Sequence, residues 1–163
     1  TEYKVMRNIE NGKNNIMLKH AISTFFKKER NLNPQRSVND LLQCFYSNNV
    51  TDDKLYSLCS KLLYLFDPIQ FIPMDSLNRS AINIINDVKI TNSYLKFFQE
   101  IEKIRNNPTH QKRLEEINMF AEPLLSQIEL LHKSTFSTNE LSKIRLNRVL
   151  DKYLVSIGKH NKN

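Results

Sequence analysis

The chain has 163 residues, 40% of them apolar, enough for one domain whose core holds itself together without staples. Two glycines and five prolines supply few of the tight turns that sheets and barrels need, and no Gly-rich phosphate loop occurs, which argues against an all-β fold and a nucleotide-binding α/β fold. Twenty-four Lys and Arg against 17 Asp and Glu leave a net charge of +7, which favours acidic partners, nucleic acid among them, without naming one.

Residues 1–15 are polar and broken at Asn11-Gly12 and Asn14-Asn15, so a partly loose segment is expected there. From Ile16 to Arg30 the residues Leu18, Ala21, Ile22, Phe25 and Phe26 recur at the period of one helical face. Asn33-Pro34 reads as an N-cap followed by a first-position proline, with Val38, Leu41, Leu42, Phe45 and Tyr46 as the stripe of a second helix ending at Asn48-Asn49. Thr51, with Asp52 and Asp53 in the first turn, opens a third in which Leu55, Leu58, Leu62, Leu65 and Phe66 are expected to face inward. Two prolines between Asp67 and Pro73 stop that helix, leaving an extended connector anchored by Ile69, Phe71 and Ile72.

Asp75 or Ser76 caps a fourth helix with Leu77, Ala81, Ile82, Ile84 and Ile85 inward, ending near Val88. Thr91 caps the fifth, whose stripe is Leu95, Phe97, Phe98, Ile101 and Ile104. Asn107-Pro108 starts a sixth carrying Leu114, Ile117, Phe120, Ala121, Leu124, Leu125, Ile128 and Leu131, with Pro123 set to kink it. Ser137 and Glu140 form a capping box ahead of Leu141, Ile144, Val149, Tyr153, Leu154 and Ile157, and Gly158 is placed to end that last helix. The expectation is all-α: a single right-handed or antiparallel bundle of about seven helices over 16–158. In it, 16–50 are additional helices, 51–133 a central unit and 137–158 a closing helix, followed by a basic tail at 159–163.

Little in the chain points to chemistry. His20, His110, His132 and His160 lie far apart, with no metal-ligand spacing to one another or to a Cys. Cys44 and Cys59 fall on apolar helix faces and read as reduced, packed thiols, which suits cytosol or nucleus over a secreted disulfide scaffold. The carboxylates at Asp52-Asp53, Glu100, Glu102 and Glu115-Glu116 suit a helix start or solvated faces opposite Lys and Arg. No serine, P-loop, kinase or zinc motif occurs, so no enzyme, cofactor or metal is expected. No run is long and apolar enough for a membrane span or signal peptide, and a chain starting at Thr reads as an excised fragment. The 20 Asn, with the Lys and Ile, read as AT-rich genome bias and mostly surface filler.

The basic residues are more suggestive. Lys143, Arg145, Arg148, Lys152 and the Lys159 to Lys162 tail, with Lys27-Lys28-Glu29-Arg30 and Lys112-Arg113, could present one positive surface to phosphates, and Arg145, Arg148 and Lys152 fall at i, i+3 and i+7.

Ser76-Leu77-Asn78-Arg79, then Ile82 and Ile85, Lys89-Ile90-Thr91, and Ile101-Glu102-Lys103-Ile104-Arg105 ahead of a short turn form an ordered set between Leu55 and Leu131. That stretch resembles the integrase-binding-domain family of lens epithelium-derived growth factor, within the helical-bundle class that includes the N-terminal domain of elongation factor TFIIS. The resemblance implies a scaffold in which two interhelical loops hold a short disordered partner peptide. Carried over, the first loop is 72–75, with Ile72 as apolar wall and Asp75 as acceptor of backbone N–H groups, and the second is 106–109, with Asn107 and Thr109. Asn107 with Pro108 stands where the family has an aromatic residue. The same residues read locally as a core plug at Ile72 and a helix cap at Asp75.

The expected function is therefore a non-enzymatic protein-interaction scaffold of a nuclear chromatin or transcription-elongation factor, of the kind also found beside PWWP modules. A phosphate-binding helical domain that contacts DNA or RNA is the first rival. A cytoskeletal scaffold is the second, because Leu65-Phe66 to Ile72-Pro73 is faintly similar to harmonin-homology domains.

Overall fold

Apolar residues at three- and four-residue steps produce seven helices in a computed structural model that describes residues 13–29, 31–130 and 135–160, with side chains for 16–29, 31–123 and 135–160. They are α1 (Lys13–Lys28), α2 (Ser37–Ser47), α3 (Tyr56–Phe66), α4 (Ser76–Ile85), α5 (Tyr94–Asn106), α6 (Pro108–Leu130) and α7 (Thr138–His160). Among the described residues there is no strand, so the fold is an all-α bundle. The expectation for residues 1–12 lies outside the described residues, and α1 starts at Lys13, three residues ahead of the apolar stripe.

α1 packs on α2 and α2 on α3, whereas α4, α5, α6 and α7 pack in a ring, with α7 returning onto α4. One apolar core runs through both groups, from Leu18, Ala21 and Phe25 of α1 to Val149, Leu150 and Leu154 of α7. Its largest fully buried side chains include Phe45, Phe71, Tyr94 and Phe97.

Several helix ends differ from the sequence reading, each for a local reason. Asn33 does not cap α2. Its Oδ1 accepts from Gln35 N (2.8 Å) in an Asx turn that holds Pro34, and the helix starts at Ser37. Thr51 closes a similar turn, its Oγ1 accepting from Asp53 N (3.0 Å), and α3 waits until Tyr56. α4 stops at Ile85 because Asp87 turns left-handed at φ 49°. Ser93, not Thr91, caps α5, accepting from Lys96 N (3.2 Å), while the Thr91 carbonyl accepts from the Arg79 guanidinium. The Ser137 and Glu140 capping box forms as read, with Ser137 N donating to Glu140 Oε2 (2.7 Å) and Glu140 N to Ser137 Oγ (3.3 Å).

The last correction is Gly158, which does not end α7. The helix runs on to His160, and Gly158 is buried where α7 crosses α4, so that a Cβ there would lie 2.2 Å from the Leu77 carbonyl oxygen. The glycine serves a close backbone approach. On α3 the inward face is Leu58, Cys59, Ser60 and Leu63, while Leu65 and Phe66 point to solvent at 75% and 57% exposure. Ile84 and Phe120 are likewise exposed, against their expected places in the core.

Among the described residues the core also holds one carboxylate. Glu100 is buried on α5, with Oε1 2.7 Å from Lys103 Nζ and Oε2 accepting from Asn86 Nδ2 (2.9 Å). The Lys103 hydrogen bond holds this carboxyl below the ordinary carboxylate value; burial pushes it up, and the Asn86 amide adds to the lowering. The folded chain thus gives up the proton more readily than the unfolded one. The stabilisation is full above about pH 4.5 and is lost as pH falls through the lower folded value. Melting temperatures taken from pH 6 down to pH 3 should drop less steeply for Glu100→Gln than for the native chain, and equal slopes would remove Glu100 from the acid response.

Candidate protein-interaction site

Nine residues outside the helices, from Asp67 to Asp75, join α3 to α4, and a partly buried segment of this kind must find most partners for its backbone from side chains. It does so along its whole length. Asp67 Oδ1 accepts from Ile69 N and Gln70 N (both 3.1 Å), and Phe71 N donates to Asp67 O (3.2 Å). The Tyr94 hydroxyl of α5 clasps Ile72, donating to its carbonyl (3.0 Å) and accepting from its N–H (3.2 Å). Ser60 Oγ of α3 accepts from Met74 N (2.9 Å). Asn147 of α7 donates to both the Pro68 and Ile69 carbonyls (2.8 Å each), and Asn78 of α4 donates to Pro73 O (2.9 Å). Since Pro73 has no N–H, every backbone donor from Ile69 to Met74 is satisfied. Burial pushes the Tyr94 hydroxyl far above its ordinary value, so the clasp stays protonated.

Ile72 itself is fully buried within this clasp, so its side chain packs the connector onto the core. Asp75 is half-buried and caps α4, Oδ1 accepting from Leu77 N (2.9 Å) and Asn78 N (2.8 Å). Its second carboxylate oxygen takes no hydrogen bond among the described residues. In the other loop, Asn107 caps α6, its Oδ1 accepting from Thr109 N (3.0 Å), and Thr109 is exposed.

α7 ties the two loops together. Asn78 Nδ2 donates to Asp151 Oδ1 (2.8 Å), which anchors the first loop, and Arg105, at the end of α5, donates to Asn147 Oδ1. His110 Nδ1 lies 3.2 Å from the Tyr153 hydroxyl just beyond the second loop. Asn147 and Tyr153 are six residues apart on one helix, about 9 Å of rise. Both loops therefore flank the same stretch of α7.

The basic residues divide. Arg145, Arg148, Lys152 and Lys159 fall within about 60° of one another around α7, whereas Lys143 lies roughly half a turn away from Lys152. Arg145 is mostly buried and pairs with Glu122 (2.7 Å), Lys152 pairs with Asp151 (3.1 Å), and Arg148 bonds the Tyr64 hydroxyl, which burial otherwise pushes up. Arg148 and Lys159 are exposed. Cys59 is fully buried, and burial pushes its thiol far above the ordinary value; Cys44 is half-buried and raised for the same reason. Both thiols are free, and burial disfavours the thiolate form of each. Among the described residues no three His, Cys, Asp or Glu side chains converge, and no helix is long and apolar enough to cross a membrane.

The sequence reading missed one feature. Where the end of α1 meets the start of the connector there is an open cleft of about 610 Å³, lined by Phe26, Leu32, Phe66, Ile69 and Phe136 with the carboxylates of Glu29 and Asp67. The Phe26 and Phe66 rings stack 3.5 Å apart and 13° from parallel. The spacing signalled half of it: Leu65 lies well off the face that Cys59 and Leu63 define, whereas Phe66, seven residues after Cys59, falls on that face and is exposed at the last position of α3. No family model matches the chain, and no curated protein or solved structure matches it either.

Proposed function

We propose that the chain is a non-enzymatic scaffold domain that holds a short disordered or helical segment of a partner protein. The observation that carries this reading is the Asp75 carboxylate: one oxygen caps α4, the other takes no partner among the described residues, and the backbone around it is pinned by side chains of four helices. A rigid acceptor at the end of an irregular segment can take N–H groups from an incoming chain at little ordering cost. The nuclear setting, in a chromatin-associated or transcription-elongation factor, follows from the resemblance to integrase-binding domains and belongs to the same proposal.

A second reading is favoured by the exposed Arg148 and Lys159 on the face of α7 that also carries Lys152, which suits nucleic-acid phosphates. The Glu122 and Asp151 ion pairs occupy two members of that stripe, which makes it the weaker of the two.

Asn caps a helix about as well as Asp, so Asp75→Asn removes the charge and keeps the cap. The full chain with a photo-cross-linking residue at Thr109 should capture a polypeptide, and Asp75→Asn should abolish that capture with the melting temperature nearly unchanged. Capture of nucleic acid alone, lost steeply with salt and on replacing Arg148 and Lys152, would move the conclusion to the second reading.

A further inference from the structure

The Phe26–Phe66 cleft carries a charge opposite to that of the molecule around it. The chain is +7 overall, yet the cleft is lined by Glu29 and Asp67 and by no Lys or Arg among the described residues. Asp67 is fixed there by the Ile69 and Gln70 N–H groups and by Gln70 Nε2 (2.6 Å), which orient its carboxylate while leaving its charge in place. Glu29 has Arg36 at 3.9 Å, but that arginine is 62% exposed, and a pair of this kind contributes little. Beside the two carboxylates stands the aromatic stack, with Phe66 still 57% exposed.

We infer that this cleft is the docking site for a basic peptide segment, an Arg or Lys flanked by an apolar side chain, presented by a partner protein. The proposal rests on the scaffold reading and gives the scaffold a second docking place, at the Asp67 end of the connector rather than at Asp75, with its chemistry. A guanidinium can lie flat on the open face of Phe66 while its N–H fork reaches a carboxylate, a pairing that a planar cation makes better than any neutral group. The adjacent apolar side chain fills the space by Ile69. A volume of this size lies within the roughly 300–1,000 Å³ of compact ligand sites, which suits a few side chains of an extended segment rather than a folded surface.

Other occupants fit less well. Nucleic acid meets two carboxylates instead of cations. A second copy of the chain across a two-fold axis places the same acidic cleft against itself, because such an interface is self-complementary.

The test is a selection of random twelve-residue peptides, displayed and panned against the whole chain, with affinities then measured for Phe66→Ala, Glu29→Gln and Asp75→Asn, each checked for an unchanged helical spectrum. The expected result is enrichment of peptides with Arg or Lys next to Phe, Leu or Ile. Their affinity should fall roughly tenfold in Phe66→Ala and in Glu29→Gln and should weaken with added salt. Peptides that bind Phe66→Ala and Glu29→Gln as they bind the native chain overturn this inference, and if they are lost in Asp75→Asn the scaffold reading survives it. Enrichment of acidic peptides also overturns the inference. No enrichment at all overturns both.

Discussion

Gly158→Ala should destabilise the chain by about 3 kcal/mol, the reverse of the ordinary effect of replacing a glycine in a helix interior, which gains about 1 kcal/mol from propensity. The reason is the crossing of α7 over α4. A methyl group at this position arrives 2.2 Å from the Leu77 carbonyl oxygen and 2.9 Å from its carbon, and both are backbone atoms at the start of a capped helix that cannot swing aside as a flexible side chain would. Relief requires the two helices to separate, and the packing of Leu154 and Ala81 into the shared core opposes that. Urea denaturation of the native chain and of Gly158→Ala measures the difference directly. A midpoint that rises in the variant would mean that the helices cross far enough apart to admit a methyl group.

The second large effect is expected at Asn147. Asn147→Leu removes two donated hydrogen bonds and one accepted one, leaving the Pro68 and Ile69 carbonyls without their partner and the half-buried Arg105 with Glu102 alone. Each buried polar group left unsatisfied costs about 1–3 kcal/mol, so a loss of about 4 kcal/mol is expected. Asn147→Asp sharpens the test, because it keeps an acceptor for Arg105 but replaces the donor that the carbonyls need with a second negative edge. If the carbonyl contacts carry the stability, both variants fall together in urea melts. If Asn147→Asp melts like the native chain, the Arg105 contact is the one that matters.

The helices were largely legible because their apolar residues repeat at a fixed step, and a repeat is visible in one dimension. Asp75, Asn107 and the Ser137-Glu140 pair were legible for the same reason, since a cap lies within three residues of what it binds. Caps failed where an alternative lay equally near: Asn33 and Thr51 had turns of their own to close, and Thr91 stood two residues from Ser93. The polar ties of the connector were not legible. Asn147 meets residues 78 and 79 positions away and Asn78 meets one 73 away, and in a chain with 20 asparagines nothing local separates these two from residues on the surface. The cleft was hidden differently. Phe26, Phe66 and Phe136 come from three distant segments, and each alone looks like core.

The fastening of the Asp67–Asp75 segment also fixes its length. Its carbonyls and amides are met in turn by Asn147, Tyr94, Asn78 and Ser60, which stand on four different helices at set heights. One inserted residue would displace every later group by about 3.5 Å, more than a hydrogen bond can stretch. The bridge between α3 and α4 is thus a strut cut to measure, with no slack to take up additions that an ordinary surface loop would absorb.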